Sequence, residues 1–332
     1  MEENRVLAGM DLGNLSKIPL TLELAEKVVK GIQMALYKGA SFNSMDAFRE
    51  AQKAVKPNGH YIVTEVRYGN DYMNSFLDIT YPSEDTSIKR PTVIYTHGGG
   101  YFGGSKTMSD PLAVGDPAVY IFERIVDRGY NFVNVDYCLT PDEKFPVPLI
   151  QLTQAIDFLT EHAAEYGLDM TNVVVMGSSA GAILTGQYGA LLANQEYRDL
   201  LNIYPKIDPK AVKALIVEDG PFIPQNFNWG LKVLLGNYCG TVDIHDPILQ
   251  KYNAYAYFNE QMAPAFFDAG TIDGAPDDMR ACYEKLIALG VPTELYLPEE
   301  PQPHGFVNQA KDNPCAAECF GKILNFMDKY TK

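Results

Sequence analysis

No run of the 332-residue chain approaches the roughly 18 consecutive apolar residues of a membrane-spanning helix. Its opening, Met1-Glu2-Glu3-Asn4-Arg5, has neither a basic nor an apolar leader segment, so the expected setting is soluble and cytoplasmic. Basic residues are scarce: 27 Lys and Arg stand against 42 Asp and Glu, a net charge of −15. Such a surface repels phosphate backbones and anionic lipid, which argues against nucleic acid or a membrane as partner. The five cysteines, Cys138, Cys239, Cys282, Cys315 and Cys319, form no Cys-x-x-Cys pair and predict neither a disulfide framework nor a zinc site. What is present, 46% hydrophobic and 21% charged residues, is the composition of an ordinary globular protein able to bury a substantial core.

Apolar residues recur at three- and four-residue spacing from Leu20 to Leu36, which predicts an amphipathic helix, and a second helical piece is expected over 44–55. Residues 61–68 and 75–81 read as an antiparallel pair of strands around Gly69-Asn70-Asp71. From Thr92 onward strands (92–96, 131–135, 172–176, 211–217, 263–269, 293–297) alternate with helices (110–128, 148–165, 180–193, 276–289, 307–330). That rhythm predicts an α/β fold, a mostly parallel central sheet with helices on both faces. Residues 221–263, rich in aromatics and turn formers, break it and read as an insertion over the C-terminal edge of the sheet. The expected organisation is an N-terminal helical arm (1–58), a core (59–220 and 264–332) and the insertion (221–263).

The chemistry centres on Val173-Val174-Val175-Met176-Gly177-Ser178-Ser179-Ala180-Gly181-Ala182. A Gly-x-Ser-x-Gly turn between a buried strand and a helix forces the serine into a strained conformation, projecting above the sheet toward a helix N-terminus. A second motif, His97-Gly98-Gly99-Gly100, follows the strand 92–96; its glycines free the backbone to aim adjacent N–H groups at one point, as an oxyanion requires. Residues 98–103 also satisfy the dinucleotide fingerprint G-x-G-x-x-G, but no helix starts within the loop and the next acid at a strand end, Asp136, is too far along.

Of five histidines, His60, His162 and His245 read as structural and His97 as support for the glycine loop. His304 follows the last strand and so lies on the same rim as Ser179, which makes it the expected base. Asp219, Asp268, Asp273 and Asp277 compete as the acid; Asp273 is the best placed, with Asp219 second. The expected triad is Ser179, Asp273, His304.

With these motifs in hand the chain, from about residue 60 to its end, resembles the hormone-sensitive-lipase branch of the α/β-hydrolase carboxylesterases. The resemblance rests on His97-Gly98-Gly99-Gly100, Asp136-Tyr137-Cys138-Leu139-Thr140-Pro141, Gly177-Ser178-Ser179-Ala180-Gly181, and Gly270-Thr271-Ile272-Asp273 leading to His304-Gly305-Phe306. It implies an α/β-hydrolase fold, a cap built from the arm and the insertion, and oxyanion donors at the N–H groups of Gly99, Gly100 and Ala180. Two positions depart from the pattern: Ser178 stands where an acidic residue often precedes the nucleophile, and Cys138 where arginine commonly follows Asp-Tyr.

The expected reaction is two-step hydrolysis, through an acyl-enzyme, of small to medium, mostly neutral carboxylic esters, acetyl and other short-chain esters among them. It requires no cofactor and no metal. Tyr101, Phe102 and Trp229 are expected to line an apolar substrate pocket, although the insertion's aromatics could equally form the cap's own core. The triad alone does not exclude a peptidase or amidase, and a non-catalytic ligand-binding member of the branch is a third reading. A homodimer is compatible with the sequence, which does not set the oligomeric state.

Overall fold

The computed structural model describes residues 6–7, 10–11, 17–37, 50–107, 119–272 and 275–332. In chain order these give a two-residue hairpin, β1 (Val6–Leu7) and β2 (Met10–Asp11), then α1 (Leu22–Tyr37), β3 (Gln52–Val55), β4 (Tyr61–Arg67), β5 (Phe76–Tyr81) and β6 (Pro91–Thr96). Next come α2 (Val119–Asp127), β7 (Asn131–Val135), α3 (Val147–Glu161), α4 (Ala163–Tyr166), β8 (Asp169–Ser178), α5 (Ala180–Ala193) and α6 (Gln195–Leu201). The remainder is β9 (Val212–Glu218), α7 (Trp229–Cys239), α8 (Pro247–Tyr252), β10 (Ala265–Asp268), α9 (Pro276–Ala288), β11 (Thr293–Tyr296) and α10 (Pro314–Thr331).

One sheet runs in the order β11-β10-β9-β8-β6-β7-β5-β4-β3. The strands from β7 to β11 across this order pair in parallel, and β5, β4 and β3 extend the sheet antiparallel beyond β7. Because β6 lies between β7 and β8, the chain reverses its direction of travel there, and the loops after β6 and β8 flank a crevice at the switch point. Those loops carry the glycine motif and Ser179.

Side-chain parity builds two cores. On β6 and β8, Ile94 and Val175 face a core closed by α3, α5 and α9, while Val93, Tyr95, Val174 and Met176 face one closed by α2 and α10. A third, smaller core joins α1 (Ala25, Val29) and α7 (Val233) to Phe102 of the glycine loop.

Two expectations change. Gln52–Val55, read as the end of a helix, is an exposed edge strand paired with β4, and it belongs to the sheet although it lies within the expected arm. The last helix is two pieces, a short turn at Phe306–Gln309 and α10. Pro314 lacks an N–H and disfavours helix at the residue before it, and Asn313 caps the restart by accepting from the N–H groups of Cys315 and Ala316. The insertion forms two α-helices, α7 and α8, each capped by an Asn or Asp side chain, Asn228 and Asp246. Residues 44–49 and 110–118 of the expected helices lie outside the described residues.

Candidate active site

Ser179 joins β8 to α5 at φ 56° and ψ −117°, a region a non-glycine residue occupies only when its surroundings force it. The constraint is visible at Gly181, where a Cβ would lie 2.0 Å from the carbonyl oxygen of Thr96, so helix and strand approach too closely for any side chain. The Thr96 hydroxyl donates to the Gly181 carbonyl (3.2 Å), and the Ser179 N–H donates to the Glu218 carbonyl (2.8 Å). Residues 180–191 of α5 are all buried, so the serine stands on a helix fixed on every side.

The glycine loop is tied down as firmly. The Gly99 carbonyl accepts from the N–H groups of Phe102 (3.1 Å) and Gly103 (3.0 Å), and a Cβ on Gly99 (φ +102°) would collide with the Gly103 carbonyl. The imidazole of His97 is buried, stacks on Tyr137 and donates from Nδ1 to the Gly98 carbonyl (2.7 Å); burial lowers its pKa to about 4, which keeps it neutral. Asp136 accepts the Lys106 N–H, and the buried Lys106 ammonium meets Glu65 (3.0 Å) and Asp78 (3.1 Å), closing the loop onto β4 and β5. Within this frame the N–H groups of Gly99, Gly100 and Ala180 donate to no described residue. Donors left open on a rigid turn and at a helix start are what an oxyanion needs.

His304 approaches from the loop after β11, and its Nδ1 lies 3.0 Å from Oδ2 of Asp219, the residue that follows β9. Asp219 sits at φ +62°, and its carboxylate also accepts from Gly270 N–H (3.0 Å), Ala275 N–H (2.7 Å) and Gly305 N–H (3.2 Å). Burial alone would push this carboxyl up; the charge and ring N–H of His304, with the N–H groups of Gly270 and Ala275, outweigh it and hold it below the ordinary range. Asp273, the acid expected from sequence, lies outside the described residues. Its neighbours Thr271 and Ile272 both donate to the Gln302 carbonyl (2.9 and 3.0 Å), which ties the loop leading to it to the one carrying His304. The acid on the imidazole among the described residues is thus the second-ranked candidate. Its position at a strand end on the serine's rim was the available signal. The convergence of three N–H groups, from Gly270, Ala275 and Gly305, on the Asp219 carboxylate is not local in sequence.

The other candidates lie elsewhere. Asp277 is in the first turn of α9, His60 meets Asp127, and His162 meets Glu165. Asp268 and Glu218 are register partners on β10 and β9 and both are buried, facing the α10 side of the sheet with Ser178. Burial, reinforced by the neighbouring Asp219 charge, raises Glu218 to about 8; burial, reinforced by the charges of Glu218 and then Asp219, moves Asp268 well up in the same direction. Since the folded state binds the Glu218 proton more tightly than the unfolded chain, its contribution to stability is full below the ordinary Glu value. It declines as pH rises toward about 8. Glu218→Gln is therefore expected to be more stable relative to the wild type at pH 8 than at pH 5, as denaturant midpoints at the two values would show.

Tyr101 and Phe102, expected to line a substrate pocket, have buried rings. Tyr101 stacks on Tyr238 of α7 with centroids 3.5 Å apart, and Phe102 packs between α1 and α7. The packing of loop against insertion takes up both side chains. Trp229 opens α7, half-buried, with Nε1 donating to the Ile18 carbonyl (3.3 Å). No group of His, Cys, Asp and Glu among the described residues is arranged to hold a metal ion, and no described helix is long and apolar enough to cross a membrane.

A strained serine at a strand-to-helix elbow, a glycine loop one strand away and a histidine–aspartate pair on the same rim define an α/β-hydrolase of the carboxylesterase class. The chain belongs to the BD-FAE family, whose model matches residues 77–274. It is 31% identical over 252 residues to carboxylesterase NlhH of Mycobacterium tuberculosis, covering 70% of this chain and 72% of that one. Esterase LipI of the same organism is 27% identical over 257 residues, 73% and 74% of the two chains. Among solved structures, esterase B from Lactobacillus rhamnosis superposes with a TM-score of 0.66 at 18% identity, covering 93% of this chain and 94% of that one, a likeness of fold.

Proposed function

We propose that the protein hydrolyses neutral carboxylic esters with small to medium acyl groups, through a Ser179 acyl-enzyme. His304 takes the Ser179 proton as the hydroxyl attacks the acyl carbonyl, and then passes it to the departing alcohol. A water, deprotonated by the same imidazole, attacks the acyl carbonyl and releases the acid as the imidazolium returns the proton to Ser179 Oγ. Asp219 holds Nδ1–H, so that Nε2 is the basic nitrogen, and it offsets the charge of the imidazolium. Gly99, Gly100 and Ala180 supply N–H groups to the oxyanion. The observation that carries this reading is the His304–Asp219 pair, 3.0 Å apart, on the rim where Ser179 emerges.

α1 and the 221–263 segment act as a cap, since both pack on the glycine loop through Phe102. The half-buried Leu234 of α7 would stand 3.1 Å from a Cβ on Gly100, which leaves little depth above the loop and favours short acyl groups. Two relatives matched over shorter stretches bear names in keeping with this, an ethyl acetate hydrolase of Pseudomonas putida and an acetyl esterase of Salmonella paratyphi B. A cytoplasmic setting suits five cysteines that form no disulfide. A panel of p-nitrophenyl esters tests the proposal: kcat/KM for acetate and butyrate should exceed that for decanoate by about tenfold or more, a scale set by differences of a few methylenes in a pocket. No turnover of any ester in the panel would refute it.

A further inference from the structure

The buried face of α1 is apolar except at Gln33, which is 2% exposed. Its Nε2 donates to the carbonyl of Phe102 (3.0 Å) and to the carbonyl of Thr140 (2.8 Å), 69 and 107 residues away in the chain. Both partners can only accept, so the amide's orientation is fixed by them. A leucine here would pack at less desolvation cost; the glutamine matches two loop carbonyls that would otherwise be buried without a donor.

Peptide geometry carries this contact further. The Phe102 carbonyl shares a rigid plane with the Gly103 N–H, which donates to the Gly99 carbonyl at 3.0 Å. The Gly99 carbonyl in turn shares a plane with the Gly100 N–H, which points to no described acceptor. The second arm, through Thr140, returns to the same turn, because the Thr140 N–H donates to the Tyr101 carbonyl (2.7 Å). A tilt of either plane is passed to the next, and hydrogen bonds in series polarise one another.

We propose that Gln33 is a positioning residue for the oxyanion site, aligning and polarising the Gly100 N–H through the planes 102–103 and 99–100. The N-terminal helix is then part of the catalytic apparatus without touching substrate. This rests on the reading of the glycine loop given under the proposed function.

The test is Gln33→Met, which keeps the side chain's length and removes both donors. Active sites are counted by phosphonate labelling taken to completion, and kcat and KM for p-nitrophenyl acetate are expressed per titrated site. The inhibition constant of a trifluoromethyl ketone, whose tetrahedral adduct places an oxyanion in the site, is measured alongside. The expected result is a fall in kcat of about tenfold or more, with KM changed less than about threefold and the inhibition constant raised by a factor matching the loss in kcat/KM, as for a weakened oxyanion donor. A residue that merely braced the fold would lower the melting temperature and the titratable fraction, with kcat per site and the inhibition constant unchanged; that outcome overturns the proposal. Should the methionine variant not fold, Gln33→Asn, whose shorter amide reaches one carbonyl at most, carries the same comparison with a smaller expected loss. Wild-type protein inert toward esters would refute the reading of the loop, and this inference with it.

Discussion

Asp219→Asn is expected to lower kcat for an activated ester by about 10³- to 10⁴-fold while KM changes little, the scale seen when the acid of a serine triad becomes an amide. The reason lies in the donors around the carboxylate. Gly270, Ala275 and Gly305 each direct an N–H at Asp219, and His304 Nδ1 completes the set. An amide at this position must turn its oxygen toward those N–H groups or its NH₂ against them. In either case Nδ1 of His304 loses its anionic acceptor and the ring is no longer held with Nε2 free to accept a proton. Asp273→Asn is the matched control, because Asp273 is the rival acid on the adjoining loop. If Asp219 is the group that orients His304, the Asp273 variant keeps kcat within about tenfold of wild type; the reverse pattern would transfer the role to Asp273.

Ser179→Ala carries the other large effect. Removing one hydroxyl oxygen leaves the elbow's close contacts untouched, so the folded protein should persist with its melting temperature within a few degrees. Activity on short esters should nevertheless fall by at least about 10⁴-fold, because the groups of a triad act as a unit and their losses are not additive. A residual rate above that of water is expected from the glycine-loop donors alone. Ser178→Ala is the neighbouring control, expected to keep kcat within about tenfold of wild type: Ser178 faces the α10 side of the sheet beside Glu218.

The elbow is legible in the sequence because everything that makes it is local. Three valines build the strand, two glycines permit the close approach, and the serine between them has one place to go. The alternating pattern from Thr92 onward yields the parallel strands for the same reason. Where the structure departs, a distant partner decides. Gln52-Lys53-Ala54-Val55 has no buried position, and only pairing with β4 makes it a strand. Tyr101 and Phe102 are named by their motif, but the direction of their rings is set by α1 and α7, which pack against them. The Asp219 carboxylate is held by N–H groups from the segments that follow β10 and β11, and such loop geometry leaves little mark on composition. Gln33 is similar, a polar residue on an amphipathic helix whose partners lie in two other loops. The break at Asn313-Pro314, in contrast, was written in the chain as a helix stop and restart.

The central claim is that Ser179 is the nucleophile and His304 its base, and covalent labelling tests it most directly. The wild-type protein and Ser179→Ala and His304→Ala variants are treated with a phosphonate ester, digested, and the modified peptide is identified by mass spectrometry. The account predicts one stoichiometric adduct on Ser179 in the wild type, none in the serine variant, and labelling slowed by orders of magnitude in the histidine variant. An adduct at any other residue, or equal labelling rates with and without His304, would contradict it.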